Sequence, residues 1–209
     1  MNSIEALYAQ LKERYGEPAG QWSLWCKRPK SLAEKELVII ESILTQRANW
    51  KNVQQAVANL SEKKITQLSP ILEISTRQLA ALIKPAGFYR QKAERLQRLA
   101  RFFITDCGGV EKAAEIPTCQ IRERLLSLKG VGPETADSIL LYALEKPVFV
   151  IDEYTRRLVK RLKLSQDFSY SALQRLFAKS IRKDYALYQD FHALIVIDGK
   201  EKNRRPKAL

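Results

Sequence analysis

Apolar residues recur at spacings of three and four along nearly the whole chain, and helix-start signals stand where those runs begin. Asn2-x-x-Glu5 and Ser31-x-x-Glu34 have the capping-box form. The first precedes Ile4, Leu7 and Leu11, and the second precedes Leu32, Leu37, Ile40 and Leu44, which predicts helices over 3–15 and 32–45. Asn49 is placed to cap a third helix carrying Trp50, Val53, Val57 and Leu60, and Ser75-x-x-Gln78 to open a short one ending near Ile83. The same spacing predicts helices over 89–104, 119–127, 134–144, 153–161, 171–182 and 185–198. Against these stands a single β-like run, Val148-Phe149-Val150-Ile151, which follows Pro147 and is too isolated to pair, so it reads as an extended connector. The expected fold class is therefore all-α.

Charge narrows the partner. Lys and Arg number 36 against 23 Asp and Glu, a net +13, which draws the chain toward polyanions: nucleic acid first, with anionic membranes and acidic proteins as weaker alternatives. No run approaches the roughly 20 apolar residues of a membrane span, and the N-terminus lacks a basic-then-apolar signal, so no membrane association and a cytoplasmic location are expected, on the nucleoid if the cell is prokaryotic. Cys26, Cys107 and Cys119 are scattered and odd in number, and His192 stands alone, which argues against a disulfide framework and a structural zinc site. The closing GKEKNRRPKAL is a basic tail.

The segment richest in chemistry runs from Leu125 to Leu162. An amphipathic stretch ends at Leu128, Lys129-Gly130-Val131-Gly132 turns the chain, and Pro133 stands where a new helix begins. Glycines permit a sharp turn and close approach to a ligand, and proline at the first helical position costs no hydrogen bond. This is a helix-hairpin-helix pattern, whose backbone N–H groups suit a DNA phosphate; a tight turn between packed helices has the same local sequence. Farther on, Asp152 follows the connector and precedes a helix with Arg156, Arg157, Lys160 and Arg161. From these residues alone Asp152 is equally a functional carboxylate or a plain helix N-cap.

Taken together, the L-x-G-V-G hairpin, the apolar run after it and the Ile151-Asp152 pair opening a helix resemble the endonuclease III superfamily of helix-hairpin-helix DNA glycosylases. The resemblance extends over about 20–205. It implies two helical subdomains: a six-helix lobe over 31–143 ending in the hairpin, and a second lobe from 1–30 and 144–209, with DNA in the cleft between them. It implies that Asp152 is the essential carboxylate. Bifunctional relatives that also cut the strand carry a Schiff-base Lys where this chain has Glu134, so the resemblance implies a monofunctional glycosylase; Lys129 is a poor substitute because it lies elsewhere in the motif. A bifunctional glycosylase with AP-lyase activity and a non-catalytic DNA-binding protein are the rival readings.

Further residues follow from the same likeness. ILTQRANWKNVQQAV resembles the segment whose Gln fills the space of a flipped nucleotide, which assigns that part to Gln46. KPAGFYRQKAERL resembles another family segment, in which Gly87 starts a helix and Arg90, Gln91 and Lys92 lie near DNA, together with Arg156 and the hairpin residues Lys129, Gly130, Val131 and Gly132. The branch of small 3-methyladenine glycosylases is the nearest in appearance: it implies a base pocket with Trp50, Trp25 and Glu134, suited to stacking on a cationic purine. Leu194 stands where that branch carries a modified Lys. Cluster-bearing relatives have four Cys after the last helix; Asn203 stands near the first of these positions, so no 4Fe-4S cluster and no other cofactor is expected. A monovalent cation, Na+ or K+, is implied at the carbonyls of Leu126, Leu128 and Val131. His192 matches a helix His seen in relatives and is assigned no catalytic role, the tail is expected to pack on the N-terminal helix or to touch phosphates, and the partner of a monomeric enzyme is double-stranded DNA containing a damaged base.

Overall fold

The computed structural model describes residues 3–204, with side chains to 202, and among these it contains helices and no strands. The capping signals produce the helices they announce. Helix α1 is Ser3–Tyr15, and the expected cap at Asn2 lies outside the described residues. After a short α2 (Trp22–Trp25), Ser31 and Glu34 close a reciprocal capping box on α3 (Leu32–Leu44). The Asn49 side chain accepts from Asn52 N at 2.9 Å to open α4 (Trp50–Glu62). The brief α5 (Leu68–Glu73) is followed by α6 (Thr76–Leu82), opened by the Ser75–Gln78 box. A 3-10 turn, Lys84–Ala86, leads into α7 (Tyr89–Arg101), which continues as a wide π turn over Phe102–Asp106. Then come α8 (Val110–Glu115), α9 (Thr118–Leu126) and α10 (Pro133–Ser138), which also widens into a π turn, Ile139–Ala143. The last three are α11 (Glu153–Arg161), α12 (Tyr170–Ser180) and α13 (Tyr185–Arg204).

Three helices were not foreseen: α2, α5 and α8 have only four to six residues, too few to repeat an apolar spacing. In the other direction, α13 runs beyond the expected end at 198.

The chain divides into two compact units, Pro29–Lys146 and the two outer segments that end at Arg28 and begin at Pro147. In the first unit α3 is the central helix: Val38, Ile39, Ile40, Ile43 and Leu44 are all buried, and α3 packs on α7 and on the π turn at Ile139–Ala143. Leu96, Leu99 and Phe103 complete that core. Its one fully buried carboxylate, among the described residues of α9 and α10, is Asp137, gripped by Arg122 through bonds of 2.6 and 3.0 Å. That pair fastens α9 to α10, the helices on either side of the hairpin. A buried ion pair adds little net stability, but deleting one partner leaves a charge in the core at a cost of about 3–5 kcal/mol.

In the outer unit α13 packs on α1 and α11. The connector that looked β-like is held without a sheet: Phe149 stacks on Phe177 with ring centres 4.2 Å apart, Gln174 donates to the Phe149 carbonyl at 2.8 Å, and Ile151 N donates to the Tyr170 hydroxyl at 3.4 Å. Side chains thus satisfy backbone groups that a β ladder would otherwise pair. At the C-terminal end, Glu201 accepts from Arg14 and Tyr15 of α1 at 3.0 and 2.7 Å, while residues 205–209 lie outside the described residues.

Candidate active site and nucleic-acid interface

The hairpin is a backbone device. Val131 N donates to the Leu128 carbonyl at 3.0 Å, closing the turn, and Gly130 sits at φ +94°, a conformation side chains rarely adopt. A Cβ there would lie 2.4 Å from Arg95 Nε, so alanine would be strained in φ and would have to displace the Arg95 side chain. Gly132 then passes in extended conformation into Pro133, and Ala136 N closes the first helical bond on the Gly132 carbonyl at 2.9 Å. Lys129, Gly132 and Glu134 are exposed, whereas Val131 is buried and anchors the turn.

Two side chains hold this turn from outside. Arg98 of α7 donates to the Lys129 carbonyl at 2.7 Å, and Gln46, just past the end of α3, donates to the Gly130 carbonyl at 3.2 Å and to Thr135 Oγ1 at 3.0 Å. Gln46 in turn accepts from Arg95 at 2.6 Å. The residue expected to enter a duplex is therefore held against the hairpin by three hydrogen bonds. Beside it Arg47, at φ +51°, is exposed and was not singled out by its sequence.

Lys92 requires a correction. Instead of reaching toward DNA it is completely buried, and its ammonium donates to the carbonyls of Leu44 at 2.8 Å and Ala86 at 2.7 Å. Burial, with Arg95 nearby, brings its pKa down to about 8. Leu44 ends α3 just before Gln46, and Ala86 precedes Gly87 and Phe88, so one buried ammonium ties together two surface turns. Phe88 is what sequence reasoning missed there: it adopts a left-handed conformation at φ +47° and is 56% exposed, the most open large apolar side chain among the described residues. Arg90 is exposed, its guanidinium 6.0 Å from the Tyr89 ring centre.

Asp152 lies in the other unit. It is the N-cap of α11, with Oδ1 accepting from Thr155 N at 2.7 Å, while Oδ2 stands 3.5 Å from His192 Nε2. The two readings that local sequence left open are compatible, because one oxygen caps and the other is available for a different task. Burial alone would raise the carboxyl pKa; His192 and Thr155 overcome it and bring the net pKa below the ordinary carboxylate value. His192 is itself nearly buried and meets Trp22 edge-on at 5.7 Å, and Trp22 meets Trp25 edge-on at 5.9 Å. Trp25 is thus linked to the Asp152 neighbourhood through Trp22, and it is 7% exposed. Trp22 and His192 are the neighbours that the sequence left unassigned.

Of the remaining expected residues, Trp50 is half-buried at the first position of α4 in the central unit. Arg156 is half-buried and donates to the Phe168 carbonyl, 6.0 Å from the Tyr170 ring centre. Leu194 is fully buried. Among the described residues no group of three His, Cys, Asp or Glu is arranged to hold a metal ion.

Comparison with known proteins supplies the class. Residues 40–183 match the HhH-GPD superfamily of base excision DNA repair proteins, and the chain belongs to that family. A Methanocaldococcus jannaschii protein provisionally named a DNA repair glycosylase is 42% identical over 175 residues, covering 82% of this chain and 79% of its own length. The H. pylori 3-methyladenine DNA glycosylase, solved with 1,N6-ethenoadenine, is similar with a TM-score of 0.79 and 31% identity, over 97% of this chain and 99% of that one. A trapped endonuclease III–DNA covalent intermediate shares the fold, with a TM-score of 0.74 at 20% identity over 99% of this chain and 91% of that one. The protein is a DNA glycosylase with an all-helical fold like that of endonuclease III.

Proposed function

We propose that the enzyme is a monofunctional glycosylase that hydrolyses the N-glycosidic bond of an alkylated purine flipped out of duplex DNA. The observation that carries this reading is Asp152: a carboxylate whose pKa lies below its usual value, at a helix N-terminus, with one oxygen beyond its capping bond. Cleavage builds positive charge on the deoxyribose, which a nearby carboxylate offsets. The electron pair of the C1′–N bond leaves with the base, and a purine methylated at N3 is already cationic, so it departs neutral without an added proton. Water then bonds to C1′ and gives its proton to Asp152.

Glu134 supports the monofunctional assignment, since a carboxylate in the first turn of α10 cannot form an imine where bifunctional relatives place an amine. Trp25, which reaches the Asp152–His192 pair through Trp22, is proposed to stack on the base, an electron-rich indole suiting a cationic purine. Backbone N–H groups of the Lys129–Gly132 turn other than that of Val131, which is spent on the Leu128 carbonyl, would receive a phosphate, with Arg47, Arg90 and Arg156 adding charge. Phe88 and Gln46 would fill the space the base leaves; Gln46 must first exchange its three hydrogen bonds. An alkali cation would be held by the carbonyl oxygens of Leu126, Leu128 and Val131, hard donors of the kind such an ion takes, and would brace the turn.

The test is base release from duplexes with one lesion each: 3-methyladenine, 7-methylguanine, uracil, thymine glycol and 8-oxoguanine. Release of methylated purines in preference to the rest is the expected result. Release confined to oxidised or deaminated bases would contradict the substrate class, and release of none would contradict the function.

A further inference from the structure

Between α6 and the start of α7 the central unit carries an open groove of about 480 Å³, of whose lining only Arg90 has a role above. Ala80, Ala81 and Tyr89 line it, and three cations border it: Arg77, Lys84 and Arg90, all exposed. The one carboxylate in the lining, Glu94, is paired with Arg98 at 3.0 Å, so the lining offers these cations no carboxylate of their own. Three unneutralised cations along a groove are the complement of a chain of phosphates.

Position says which chain. Gly87 and the exposed Phe88 lie between Lys84 and Arg90, so the groove opens beside the apolar turn. Along α7, Arg98 holds the hairpin through the Lys129 carbonyl, while Arg90 belongs to the groove. Those two arginines are about two turns apart, roughly 12 Å along the helix at ~1.5 Å per residue. That separation runs between backbone centres, and less the radii of the two phosphates it suits a minor groove about 6 Å wide, the groove into which apolar side chains are wedged. The hairpin then has one backbone, Phe88 the space between, and the groove the other.

We propose that the groove bordered by Arg77, Lys84 and Arg90 is a second DNA site, which binds the sugar–phosphate backbone of the strand opposite the lesion. This rests on the reading of the protein as a duplex-binding glycosylase. It makes affinity depend on both strands, where the hairpin alone would grip one.

The experiment measures affinity of the full chain for a duplex with a non-hydrolysable abasic analogue, across a salt series, in wild type and in Arg77→Ala/Lys84→Ala. Loss of two phosphate contacts should lower the slope of log K against log salt by about 2. Affinity for the isolated lesion strand should be the same in both proteins. Lys63→Ala/Lys179→Ala, which removes as much charge from other exposed positions, should retain the duplex slope. Methylphosphonates placed singly in the undamaged strand should weaken wild type and leave the groove variant indifferent at the same positions. An unchanged slope in the groove variant, an equal loss in the control, or interference confined to the lesion strand would overturn the groove while sparing the glycosylase reading. Failure of wild type to bind duplex at all would overturn both.

Discussion

The hairpin and the Asp152 turn each open a helix, yet they are built from different material. At the hairpin the work is done by backbone: Gly130 in a conformation side chains rarely adopt, Pro133 at the helix start, and carbonyls of Lys129 and Gly130 held by Arg98 and Gln46. At Asp152 it is done by side chains: a carboxylate, an imidazole 3.5 Å away, and tryptophans stepping outward from it. A backbone device is suited to holding a phosphate, which presents the same face at every nucleotide. A side-chain device is suited to chemistry, because its charge can be tuned by a neighbour. Binding and catalysis should therefore separate when the two turns are altered one at a time.

The sharpest break in that comparison comes from Asp152→Asn. Single-turnover base release is expected to fall by about 10²–10³-fold, the scale for removing one preorganised charge stabiliser, with duplex affinity within about twofold of wild type. A variant that lost binding in equal measure would make Asp152 a structural cap and nothing more. Gly130→Ala should do the reverse. Its Cβ must displace Arg95 and occupy a strained φ costing about 1–3 kcal/mol, so affinity falls about tenfold or more while release at saturating enzyme is largely kept. Equal affinity in a binding titration would remove the hairpin from the interface.

His192→Asn sharpens the catalytic side. His192 holds the Asp152 pKa down, so its removal lets burial raise that pKa, and the acid limb of the pH–rate profile should move to higher pH. The linkage has the same sign for stability: a depressed carboxyl contributes above its unfolded pKa and loses that contribution as pH falls through the folded one, below the usual carboxylate range. An acid limb that stays in place would mean that another group sets it. The smallest effect on the fold belongs to Phe88→Ala: at 56% exposure it should change stability by less than about 0.5 kcal/mol, yet slow base flipping several-fold. Stopped-flow fluorescence of a reporter base opposite the lesion distinguishes this from no role, which would leave the flipping rate untouched.

The same contrast explains what could be read in advance. Helices opened by Ser31, Asn49 and Ser75 were legible because their caps are local, and the hairpin was legible because a backbone turn leaves its glycines and proline in one short stretch. Lys92 was misread because it stands among Arg90, Arg95 and Arg98 on a strongly basic helix, and only packing against α3 and the 3-10 turn decides that its ammonium turns inward to two carbonyls. Gln46 was seen as a residue of consequence, but its clamp on Gly130 and Thr135 joins distant segments of chain. His192 and Trp22 carry no local signature of a catalytic neighbourhood: each looks like a buried ring on a helix, and what sets them apart is the Asp152 carboxylate brought to them by the connector.

The most direct test of the central claim, hydrolysis by a carboxylate without a covalent amine adduct, is borohydride trapping during turnover of a duplex carrying 3-methyladenine. The expected result is free base and an intact strand with an alkali-labile abasic site, in equal amounts, and no protein cross-linked to DNA. A trapped adduct that accumulates in step with base release would contradict it, and would assign the chemistry to a lysine such as Lys129.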